Sequence, residues 1–174
     1  MVQRGAVDAW LVLAVAALAA ALLWWRSRVD DARRDDAWDA LARDFMLGFD
    51  AGSRSIRGKY RLLRLDITAR RTLLGLGPWR TRIDAQYEGV VPERLALGIT
   101  GAGALRAAAR SPEALTLWLD AERRRALLPP LLQGGVRVSG HTATLETPGL
   151  LTDPEALRTS LARLAELAKL LSLR

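Results

Sequence analysis

Cysteine is absent from the 174 residues, and there is one histidine, His141. The first absence removes disulfides, thiolate metal sites, haem attachment through Cys-x-x-Cys-His and any cysteine nucleophile. The second leaves no histidine cluster to hold a metal. No Gly-Lys-Ser/Thr sequence occurs, so a Walker-type phosphate loop is excluded. The nearest glycine pattern, Gly98-x-x-Gly101-x-Gly103, reverses the spacing of the dinucleotide fingerprint and reads as a loop. His141 sits beside Gly140 and Thr142, with Ser139 and Glu146 near in sequence. Strand alternation does not bring those side chains together as a base and its orienting partner, so His141 reads as an exposed turn residue. No catalytic, cofactor-binding or metal-ligating residue is therefore expected.

Arginine dominates what is present: 24 arginines stand against two lysines, and the formal net charge is +7. A positive excess of this size favours anionic lipid, nucleic acid or an acidic protein partner. Half of the residues are hydrophobic, which argues for a folded chain.

Ala9 to Trp25 is an uncharged run of 17 residues. With the preceding turn it reaches the roughly 30 Å of a bilayer's hydrocarbon core. Trp10 marks one end and Trp24 and Trp25 the other, where indole rings favour the headgroup level. Ala17-Leu18-Ala19 fits a signal-peptidase pattern. Cleavage there would leave Leu22-Leu23-Trp24-Trp25 as a bare apolar start, so an anchor is the better reading. Arg4 precedes the run, whereas Arg26, Arg28, Arg33, Arg34 and Arg43 follow it. The positive-inside rule then puts the N-terminus outside and the rest in the cytoplasm. At 100° per residue, Leu11, Val15, Leu18, Leu22 and Trp25 form one stripe, and Ala9, Ala16, Ala17 and Ala20 cluster opposite. Small residues so spaced let a second helix approach.

The helical period continues past the anchor. Trp38, Leu41, Ala42, Phe45 and Phe49 make an apolar stripe that predicts a stalk helix to about Leu47, broken over Gly48–Gly52. Two alternating segments follow, Leu63–Arg70 and Trp79–Glu88, around a turn at Gly75–Pro78, and they predict an antiparallel pair. Leu95–Thr100 is a third strand, and Val136–Val138 with Thr142–Leu145 a second hairpin. Ser111-Pro112 opens a helix that should stop at Pro129-Pro130. Asp153-Pro154 opens a C-terminal helix with Leu157, Leu161, Leu164, Ala168 and Leu171 on one face. The expected fold is α+β: a transmembrane anchor (residues 1–25), an amphipathic juxtamembrane helix (26–51) and a basic domain (52–174) with a small, mainly antiparallel sheet and two to three helices.

Leu117-x-Leu119 with Arg123–Leu128, then Gly135-Val-Arg-Val138, Pro148-Gly-Leu and Asp153-Pro-Glu-Ala-Leu157 carry one resemblance. Through them, residues 113–171 resemble small bacterial membrane-associated domains of uncharacterised function. The resemblance implies no activity.

Arg54, Arg57, Lys59, Arg61 and Arg64, with Arg80 and Arg82, concentrate charge in the first strand region. Together with Arg26 and Arg28 they are the candidate contacts for lipid or an acidic partner. Only Tyr60 and Trp79 lie among them, which disfavours nucleic acid. A single-pass chain without catalytic groups is expected to work by contact, as a non-catalytic accessory subunit of a larger bacterial inner-membrane complex such as an energy-transducing or light-harvesting assembly. Its partners would be membrane lipids and other membrane-protein subunits rather than a small-molecule substrate, and no cofactor is expected. The alternative is a free membrane-tethered domain that recruits a soluble cytoplasmic partner or nucleic acid.

Overall fold

The computed structural model describes residues 3–71 and 77–172. The chain divides into two compact units, one ending at Ala37 and one beginning at Trp38.

The first unit is helical. It holds most of α1 (Gln3–Asp44), one continuous helix of 42 residues. Within it, Val12–Asp44 contains a stretch of mean hydropathy 1.5, none of it buried, long and apolar enough to cross a membrane. Trp10, Val12, Leu13, Val15, Leu18, Leu22, Trp24 and Trp25 each expose 53–72% of their surface.

The second unit begins with the end of α1. Trp38, Leu41 and Ala42 are buried in its core, and Trp38 Nε1 donates to Leu151 O at 3.0 Å. The stalk stripe is thus spent on the chain's own domain. Helix α1 ends earlier than the period predicts, because Met46 takes a left-handed φ of 55°. Leu47 N then reaches Ala42 O at 2.8 Å and Met46 N reaches Arg43 O at 3.1 Å, a Schellman closure. The predicted break at Gly48–Gly52 is therefore corrected: Gly48–Asp50 is strand β1, and Phe49 lies on a strand. Asp50 accepts from Gly52 N at 2.9 Å and from Ser53 Oγ at 2.5 Å, which fixes the following turn. Those bonds, the Ser53 hydroxyl first, hold the Asp50 carboxyl below its usual range.

The remaining strands are β2 (Ser55–Tyr60), β3 (Leu63–Arg71), β4 (Trp79–Gln86), β5 (Ala96–Ile99), β6 (Leu105–Ala108), β7 (Arg137–Ser139) and β8 (Thr142–Pro148). The helices are α2 (Pro112–Trp118), α3 (Ala121–Gly134) and α4 (Pro154–Ser172). The sheet is larger than expected, eight strands in the order β1-β2-β3-β4-β8-β7-β5-β6. All neighbours run antiparallel. The two predicted hairpins form, and Ile67 pairs with Ile83, which pairs with Leu145. The first half of the predicted turn at Gly75–Pro78 falls outside the described residues.

One face of the sheet is apolar because alternation sends Leu65, Ile67, Ile83, Ala85, Ala143 and Leu145 the same way. Helix α4 covers that face with Leu157, Leu161, Leu164 and Leu171, each fully buried. Asp153 caps it, accepting from Glu155 N at 3.1 Å. The helix expected from Ser111 onward is instead two, α2 and α3, because Asp120 caps a fresh start by accepting from Arg123 N at 2.7 Å. Nor does α3 stop at its prolines: Pro129 and Pro130 lie inside it. Fully buried Leu127 and Leu131 anchor the helix on either side. The carbonyls left without donors belong to Arg125 and Ala126, both exposed, so water can serve them.

Candidate functional site

The face of the sheet opposite α4 carries the charge. Alternation puts Arg57 and Lys59 of β2, Arg64, Asp66 and Arg70 of β3, and Arg80, Arg82 and Asp84 of β4 on that side. Glu146 of β8, Arg137 of β7 and Arg106 of β6 continue it. Eight cations thus face three carboxylates.

Register decides how these charges meet. Lys59 pairs across strands with Arg64, and Arg70 with Arg80. Between those two cationic rows, Asp66 pairs with Asp84. Three of the four carboxylate oxygens of the acidic centre are paired locally. Arg57 Nε donates to Asp66 Oδ2 at 3.2 Å, Arg82 Nε to Asp84 Oδ2 at 2.8 Å, and Thr144 Oγ1 to Asp84 Oδ1 at 2.6 Å. The hydrogen bond that Arg82 donates to Asp84 raises the Arg82 pKa above its ordinary value. The cationic rows are not satisfied: among the described residues Lys59, Arg64, Arg70 and Arg80 have no ion pair. Like charges directly opposite on a sheet are destabilising by a few tenths to about 1 kcal/mol. A shallow recess of about 320 Å³ lies over the centre, lined by Arg57, Lys59, Arg64, Asp66, Asp84 and Gln86. Within the described structure Asp66 Oδ1 is buried and accepts no hydrogen bond.

Of the basic residues singled out in the sequence, the fold gathers Arg57, Lys59, Arg64, Arg80 and Arg82 on this face. Arg54 and Arg61 sit instead in the turns at opposite ends of β2, with left-handed φ of 52° and 54°. Arg61 lies 5.5 Å from the centre of the Tyr60 ring. Sequence reasoning missed Arg70, Arg106 and Arg137. Arg70 ends the alternation of β3 and could have been found there; β6 and β7 are too short to declare a face.

The helical candidates lie on α1. Trp10, Trp24 and Trp25 are exposed, and Arg28 stacks on Trp24 at 5.0 Å, while Arg26 is exposed beside it. Ala16, Ala17 and Ala20 are exposed, whereas the side chain of Ala9 lies outside the described ones. His141 occupies the β7–β8 turn as expected; Glu146 stands further along β8, opposite Arg82. The Gly98–Gly103 segment is the end of β5 and the β5–β6 turn, which is closed by Thr100 N donating to Ala104 O at 2.9 Å. A strand follows it, where a phosphate loop needs a helix. Among the described residues no group of three or more metal-binding side chains converges.

No protein-family model matches the chain, and no curated protein or solved structure does either. The resemblance of residues 113–171 is neither supported nor overturned by that result.

Proposed function

We propose that the chain is a non-catalytic accessory subunit, anchored by α1 in a bacterial inner membrane and docking into a larger membrane complex through the open cationic face of its sheet. The observation that carries this reading is the pair of cation–cation rows, Lys59 opposite Arg64 and Arg70 opposite Arg80. A partner's carboxylates would relieve both rows at once. Anionic lipid would gain about 1 kcal/mol per basic residue at its surface, but it has nothing to offer the acidic centre. A protein patch can match both signs, meeting the cationic rows and the Asp66–Asp84 centre together. A membrane-protein subunit is therefore the favoured partner, with lipid a secondary contact.

Replacing Arg70 and Arg80 together with Glu reverses one row while leaving the buried face untouched. Co-purification in mild detergent should be lost although thermal melting persists; retention of the partner by the reversed protein would refute docking through this face. A partner recovered only from the soluble fraction, or an RNase-sensitive one, would favour the tethered-recruitment alternative.

The five arginines after the anchor put the domain in the cytoplasm on this reading. Protease added to intact spheroplasts should spare it and digest it in inverted vesicles. The reverse pattern would overturn the orientation.

A further inference from the structure

A second recess lies away from the Arg70–Arg80 row. The second half of α4 and the strand ends at the β2–β3 and β7–β8 turns enclose a cleft of about 1070 Å³. That is slightly above the roughly 300–1,000 Å³ typical of small-molecule sites. Its lining has two chemistries. Helix α4 contributes Ala162, Ala165 and Ala168, small side chains at three-residue spacing that leave a trough along the helix. Buried Leu63 and the Tyr87 ring back it. Lys59, Arg61 and Arg64 stand along the sheet side, and Lys169 on the helix side.

The β2–β3 turn sets both chemistries at the lip. Its two residues are Arg61 and Leu62, and Arg61 holds a left-handed φ of 54°. Glycine, asparagine or aspartate would take that conformation with less strain. Instead the turn presents a guanidinium beside an aliphatic side chain that is 92% exposed, the pattern of a rim that meets a charged head and its tail together. Among the described lining residues, four cations against two carboxylates, Glu88 and Glu166, leave a surplus of two positive charges. That suits one head of charge −1 to −2 and opposes a second.

We propose that this cleft binds a single-chain anionic amphiphile, its acyl chain along the alanines of α4 and its carboxylate or phosphate head among Lys59, Arg61 and Arg64. The cleft shares Lys59 and Arg64 with the charged face, and the two readings are told apart because docking is tested at Arg70 and Arg80, at the other end of the strands.

The test uses the full chain in a neutral maltoside detergent with a diazirine-bearing C18 fatty acid, photolysed and mapped by peptide mass spectrometry. Label should fall on residues 59–64 and 162–172. Oleate or oleoyl-lysophosphatidate should compete, and whichever competes better identifies the head. Oleyl alcohol and inorganic phosphate should not. Ala162→Trp fills the trough from an exposed position, and Leu62→Ser removes the aliphatic lip. Each should cut labelling about tenfold, the scale of one lost aliphatic contact. Should Ala162→Trp lower the melting temperature, the exposed pair Lys59→Gln with Arg61→Gln gives the same reading without touching packing. Label confined to residues 10–29, equal competition by oleyl alcohol, or full labelling in the folded variants would overturn the proposal.

Discussion

Tyr87 holds two distant segments together. Its hydroxyl donates to Gly140 O at 2.7 Å, its backbone N–H to His141 O at 3.0 Å, and its ring meets the His141 ring at 5.9 Å. Burial pushes its phenol up from the ordinary value of 10.0 to about 12. The folded state therefore keeps a proton that the unfolded chain releases. This contribution to stability is complete below pH 10 and is lost as pH rises from about 10 to about 12. Urea denaturation at pH 8 and at pH 11 should show the wild type losing more stability than Tyr87→Phe, which should also cost about 1 kcal/mol at pH 8. Equal losses in the two proteins would contradict the account. Nothing in the sequence marks Tyr87 for this role, since its partner turn lies 53 residues away. Met46 was equally hidden: a left-handed helix terminus normally takes glycine, and an exposed methionine gives no such cue.

Helices with a wide apolar face were legible, and those whose fate depends on packing were less so. Helix α4 could be read from Asp153 and the leucine period alone, because both cap and stripe are local. The prolines of α3 misled, since a proline's local cost is outweighed when Leu127 and Leu131 pack on either side and water takes the orphan carbonyls. On α1, the stripe from Trp38 is used internally, so any association of the apolar segment must come from elsewhere on the helix. The small face at Ala16 and Ala20 is the candidate. Lipid gives helices no hydrophobic reason to associate, so close approach depends on shape. Ala16→Leu with Ala20→Leu should displace a helical partner without harming insertion, whereas Leu18→Phe on the other side should do little. Cross-linking yields that do not distinguish the two variants would reduce α1 to an anchor.

For the molecule as a whole, the α+β class and the two hairpins followed from alternation, but the sheet order did not. The β7–β8 hairpin inserts between β4 and β5, through strand pairings distant in sequence rather than any local pattern. The candidate site was half legible for the same reason. Arg57, Lys59, Arg64, Arg80 and Arg82 stood out as a basic region, yet only the register reveals that cations oppose cations while Asp66 opposes Asp84. A sheet face that leaves two like-charge rows unneutralised is the basis for reading the protein as one part of a larger assembly. Native mass spectrometry after extraction from its own membrane in a mild neutral detergent tests that reading most directly. The account predicts a discrete complex of defined stoichiometry that falls apart as salt is raised. A lone chain of 19.1 kDa at low salt would contradict it.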